Sequence, residues 1–390
     1  MKRNTKENVE MNSTTKEVKK YKMVKENDMF RIIALRDFAN VKKGDKGGLV
    51  YHNFNLSHDG NCWIGYNAKV LDQAMVFGNA IVEGYAIIRD NAQVRDEAIV
   101  EGDAIIRGTA IVRGNAVVRG NALVEDNAVV RGHAEVYDNA KVRDDAVVRG
   151  FAKVYEYADI CEKAFIYDNA KVHGESCISG NARVHGYADI SEKALVHGNA
   201  EVEGKVVVRG CAIVRGDAVV RDNAIVEGNS SVCGYARVHG YAIVRGDAVV
   251  RDDAIVRGNA LICDNAIVRD EGIIRDDATI YGNARVYGEA IVRGNAVVRD
   301  DALADGHSIL EGNAILESNA RVIHGTHTKK VQYINGSDYT ATVDGDYINI
   351  KNNSFTPEEW PMVIDEWDMD SDKKTEYKGI ILFLKNTYMI

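Results

Sequence analysis

The chain has little proline, few tryptophans and no long apolar run, and each shortage excludes something. Two prolines in 390 residues leave few forced breaks in backbone pairing, because proline removes an amide donor. The longest apolar stretches, such as 380–384, fall far short of the roughly 20 residues of a membrane-spanning helix. No membrane is therefore expected as a partner. Basic residues are outnumbered, 49 Lys and Arg against 58 Asp and Glu, for a net charge of −9. That balance argues against nucleic acid as a partner, which needs a basic surface. The six cysteines (Cys62, Cys161, Cys177, Cys211, Cys233 and Cys263) form no CxxC pair and read as free thiols of a reducing compartment. The charged N-terminal segment lacks the apolar core of a secretory signal. We therefore expect a cytoplasmic protein whose residues 1–28 form a disordered, Lys-rich tail.

What is present is a six-residue repeat. Gly114 to Arg149 reads GNAVVR GNALVE DNAVVR GHAEVY DNAKVR DDAVVR. The period runs without insertion or deletion from Ile64 to Val322, where every sixth residue is aliphatic apart from Ala304. From Ala68 to Ala320, Ala stands two residues before the aliphatic, with Ser176, Val206, Ser230, Gly272 and Ser308 as the exceptions. A helix would scatter residues six apart around its axis. In a strand, the Ala and Val of A-x-V point to one side and the residue between them to the other. The R-G-N and R-D-D steps that follow suit corners, because Gly, Asn and Asp tolerate left-handed backbone. Three such sides close a triangular coil of 18 residues.

The aliphatic-x-x-Asn-Ala-x pattern, as in Val118 to Ala122, resembles the hexapeptide repeat of left-handed parallel β-helix proteins. It departs in placing Gly two residues after the aliphatic rather than one. The resemblance implies an all-β fold, a left-handed parallel β-helix of about 14 coils. At the strand spacing of about 4.8 Å this makes a rod on the order of 70 Å long, stabilised coil against coil. The stretch GDKGGLVYHNFNLSHDGNCWIGYNAKV and the TPEEW ending also look like bacterial and prophage-encoded hexapeptide-repeat proteins, a group with no established activity to transfer.

Exposed strand edges invite aggregation, so caps are expected. Residues 29–63 read as an N-terminal cap, 64–326 as the solenoid, and 327–390 as an α+β C-terminal cap or interaction domain. In the last, turns are expected at Asn335-Gly336 and Asp344-Gly345, a helix start at Thr356-Pro357, and a final helix from about Ser371.

Positions 18 apart share a face, so the outer surface can be mapped. Outward positions are largely apolar in the early and late coils, which points to a homo-oligomer, dimer or trimer. Arg95, Arg113, Arg131 and Arg149 form a file one coil apart. Like charges at strand spacing repel. The corner acids Asp90, Asp126, Asp144 and Asp145 are expected to offset them as a structural salt ladder. The alternative is a binding file for a nucleotide or polyanion. Tyr155, Tyr167 and His185 belong to a band of aromatic and imidazole groups that could line a ligand or partner site.

The family resemblance also raises an acyltransferase, whose base is usually a His in a cleft between subunits. His173, His185 and His197 are the candidates, but they fall on three successive sides of the prism. No protruding loop, phosphate loop, cofactor motif or metal-binding set rises above the repeat background. The leading expectation is a non-enzymatic solenoid scaffold, phage- or prophage-encoded, that binds or inhibits a host protein such as a defence factor.

Overall fold

The computed structural model describes residues 19–351 and 353–389. From Trp63 to Val322 the chain is a parallel β-solenoid whose rungs are two-residue strands separated by corners. Two of its three faces are 15-stranded sheets, and the third carries the N-terminal strands on its end. The coil count slightly exceeds the 14 expected, because residues of both cap segments add rungs. Lys46–Val50 pairs in parallel with Lys69–Val70 at one end, and Thr326–His327 pairs with Ile309–Leu310 at the other. That last pairing joins residues 17 apart, where the rungs before it join residues 18 apart. The period ends there.

The interior follows directly from the repeat. Each Ala and each following aliphatic is fully buried, including Val206 in an Ala position and Ala304 in an aliphatic one. Serines in Ala positions satisfy their hydroxyls locally: Ser176 Oγ donates to the His173 carbonyl at 2.7 Å, and Ser230 Oγ to that of Glu227 at 2.8 Å. A buried hydroxyl is tolerated when it is so bonded. The outward residues of the rungs, such as Ile99, Ile111 and Val129, are half-buried by the coils above and below.

Corners hold left-handed backbone, with φ of 71° at Gly114 and 57° at Asp144. Glycine meets this need without strain. Aspartate meets it with help from the next coil, since its carboxylate accepts a backbone N–H eighteen residues on. Asp90 Oδ2 takes the Gly108 N–H at 2.9 Å, and Asp144 Oδ2 takes that of Glu162 at 2.9 Å. The recurrent Asp corners are thus turn chemistry, as their sequence suggests. Asn side chains one position later form a second ladder, such as Asn127 Nδ2 to Asp145 Oδ1 at 2.9 Å.

The N-terminal cap starts earlier than expected. Tyr21–Glu26, inside the segment assigned to a disordered tail, is a strand paired antiparallel with Met29–Ala34; residues 1–18 lie outside the described residues. Lys20 is fully buried beneath this hairpin, with Nζ donating to the Cys62 carbonyl at 2.9 Å. At the other end, four antiparallel strands between Tyr333 and Phe355 pack against two helices, α1 (Trp360–Asp365) and α2 (Ser371–Tyr388). Asp344-Gly345 makes the hairpin expected of it. The first helix begins four residues beyond Thr356. There the Glu359 carboxylate accepts from the Thr356 N–H at 3.0 Å, which turns the chain before the helix proper. Asp344, fully buried, ties this unit to the last coil by accepting the His324 N–H at 2.9 Å.

Candidate functional site

One edge of the prism carries most of the chemistry that the repeat does not need. It follows the rungs Gln93–Val94, Ile111–Val112, Val129–Val130, Val147–Val148, Phe165–Ile166, Arg183–Val184 and Glu201–Val202, which pair in register. The residue after each rung therefore stacks in one file: Arg95, Arg113, Arg131, Arg149, Tyr167, His185 and Glu203. Backbone bonds hold their spacing, such as Arg113 N–H to the Val130 carbonyl at 2.9 Å and Arg131 N–H to that of Val148 at 2.9 Å.

The structural salt ladder expected here does not form. Among the described residues, none of Arg95, Arg113, Arg131 and Arg149 makes an ion pair, although arginines of other files do, such as Arg143 with Asp159 at 2.9 Å. The physical reason lies in the corners. Asp90, Asp126 and Asp144 follow rungs of a different sheet from the arginine file and so stand on another edge, where their carboxylates accept backbone N–H groups, and Asp145 on that edge accepts from Asn127. Two of the four, Arg95 and Arg149, lean on rings instead. Arg149 lies 5.0 Å from the centroids of both Phe165 and Tyr167, and Arg95 lies 5.8 Å from that of Phe77. The Nε of Arg95 and of Arg149 is buried with no partner. In water, two unit charges about 5 Å apart repel by only about 0.8 kcal/mol. A solvated file therefore persists, but it remains charged.

Arg113, Arg131 and Arg149 line a groove with Gly114, Gly132, Gly150 and Asp96. At its start, Asp96 Oδ2 accepts the Gly114 N–H at 3.1 Å. Gly114 and Gly132 have no carboxylate with which to do the same for the corners above them. The groove thus combines three guanidinium groups with corner amides that lack the usual carboxylate, an arrangement suited to an anionic oxygen.

The remaining predicted residues divide between edges. Tyr167 and His185 continue the arginine file, with their rings stacked at 4.4 Å. Tyr155 belongs to another edge, where Tyr137, Tyr155 and His173 stack at 5.0 and 4.6 Å. Burial in that stack pushes the Tyr155 phenol up to about 12, so it is a hydrogen-bond donor rather than a base at neutral pH. His173 Nε2 is 2.9 Å from Asp189 Oδ1. His173, His185 and His197 follow rungs of three different sheets and do not converge. Reasoning from the sequence missed the neighbours of His185 from the next coil, Glu201 and Glu203. Its Nε2 lies 3.2 Å from Glu201 Oε1 and 3.8 Å from Glu203 Oε2. Their offsets of 16 and 18 residues were the available signal.

A family model described as the YdcK beta solenoid repeat matches residues 278–294, about one coil. This match and the three-sheeted rod together identify a β-solenoid repeat protein. No curated protein matches the chain. Among the described residues, no helix is long and apolar enough to cross a membrane.

Proposed function

We propose that this protein is a rigid, non-catalytic scaffold that docks an acidic surface of a partner protein along the Arg95–Arg149 edge. The observation that carries this reading is the file of four guanidinium groups without carboxylate partners beside open corner amides. The finer reading from the sequence remains part of the proposal: a prophage-type hexapeptide-repeat protein, cytoplasmic and homo-oligomeric, whose partner is a host protein such as a defence factor. An acyltransferase draws no support from the histidines, which face different ways.

The test compares capture of host proteins by the immobilised full chain and by the double variant Arg113→Glu, Arg131→Glu. A partner held by the native chain, released by salt and lost in the variant supports the reading. Equal capture by the variant, or no specific capture at all, overturns it. The same groove favours one second reading, a nucleotide or polyanion. Salt-sensitive binding of polyphosphate that Arg113→Ala with Arg131→Ala abolishes would establish that reading instead.

A further inference from the structure

We propose that His185, Glu201 and Glu203 form a site for a divalent transition-metal ion. This goes beyond the docking reading and does not depend on it. One ligand atom from each residue lies within 4.8 Å of the other two. Zinc held at about 2.0 Å by nitrogen and oxygen donors in tetrahedral geometry has its ligand atoms about 3.3 Å apart. The Nε2 to Oε1 distance of 3.2 Å already meets that spacing, and the 3.8 Å to Glu203 Oε2 needs only a small side-chain adjustment.

The charge pattern points the same way. Among the described residues, neither Glu201 nor Glu203 pairs with any Lys or Arg, in a protein whose other outward acids often do, such as Glu135 with Lys153 at 2.8 Å. Two carboxylates and a neutral imidazole would balance a divalent cation. The imidazole is also held in place by stacking, with a carboxylate near its other nitrogen but beyond hydrogen-bond distance. Its face stacks on Tyr167 with the ring planes 9° apart, and Asp168 Oδ2 stands 3.8 Å from Nδ1 on the side away from the glutamates. The His185 side chain is 14% exposed, whereas each glutamate is 38% exposed. The site thus has a largely buried anchor and two arms open to solvent. Three protein ligands leave a coordination position for water or for a donor from a partner.

The test is calorimetric titration of the full chain with zinc chloride, alongside His185→Ala, Glu203→Gln and Cys211→Ser. We expect one zinc per chain, binding weakened at least tenfold by Glu203→Gln and abolished at this site by His185→Ala, and unchanged binding in Cys211→Ser. Zinc should raise the melting temperature of the native chain but not that of the His185 variant. Melting without metal checks that each variant is folded, and Glu201→Gln replaces any that is not. No binding by the native chain overturns the proposal. So does binding that survives His185→Ala, or that Cys211→Ser removes.

Discussion

The Asp144 carboxylate accepts the backbone N–H of Glu162, its counterpart one coil along, at 2.9 Å. This bond lets a residue with a side chain hold the left-handed corner, a conformation that costs an ordinary L-residue about 1–2 kcal/mol. Asp144→Ala loses the hydrogen bond and keeps the strain. It should destabilise its coil by about 1 kcal/mol and speed hydrogen exchange at the Glu162 amide. Asp144→Gly loses the bond but relieves the strain, so it should cost less. An alanine variant as stable as the native chain would show that the corner does not need the bond.

Acid should loosen the C-terminal junction first. Hydrogen bonds from Lys330 and Arg299 pull the Glu317 carboxyl down to about 2. A depressed carboxylate contributes stability that is complete above its unfolded value, near 4.5, and is lost as pH falls toward about 2. Thermal melting monitored by Trp360 and Trp367 fluorescence should therefore drop across that window. In Glu317→Gln the drop should be shallower, from a lower starting point at neutral pH. Identical acid profiles for the two proteins would contradict this role for Glu317.

Lys20 is the N-terminal counterpart. Its ammonium lies under the first hairpin and serves the carbonyls of Asp59, Gly60 and Cys62. Lys20→Met keeps the stem's packing but leaves buried acceptors unmet, a loss of about 1–3 kcal/mol. The expected result is a lower melting temperature with faster proteolysis near residues 57–62. A methionine variant that resists protease like the native chain would argue that water serves those carbonyls equally well.

The core offers a gain as well. Ala304 stacks between Val286 and Val322 where every other coil has a larger aliphatic. Ala304→Val buries two further carbons and should stabilise the last coils by about 1 kcal/mol. Denaturant melts would read this as a higher midpoint with the slope unchanged. A lower midpoint would mean that the site has already closed around alanine.

The rungs, interior and corners were legible in the sequence because one local rule repeats, so each hexad reports on all the others. Contacts between coils were legible only where the same residue type recurs, as along the Arg95–Arg149 file. The partners of that file were misjudged because residues of one coil need not share an edge. Asp90 and Asp144 follow rungs of a different sheet from Arg95 and Arg149, and Asp144 lies 3.9 Å from Arg143 of its own edge instead. The cluster at His185 was hidden because it joins a histidine to two glutamates, one of them from a rung and one from beside a rung, and no recurring residue type marks them. The strand Tyr21–Glu26 was obscured by lysines, although Tyr21 and Met23 alternate as a paired strand requires.

Because the interior repeats every six residues and the surface every eighteen, the two respond differently to changes in length. Insertion of one hexad would leave the buried stack of Ala and Val intact while turning everything beyond it by a third of a revolution. Placed between Arg149 and His185, it would move the imidazole and its glutamates to another face. Only a gain or loss of whole coils lengthens the rod and keeps its surfaces aligned. The fold is thus permissive toward growth by hexads, and the alignment of its outer files restricts that growth to steps of eighteen.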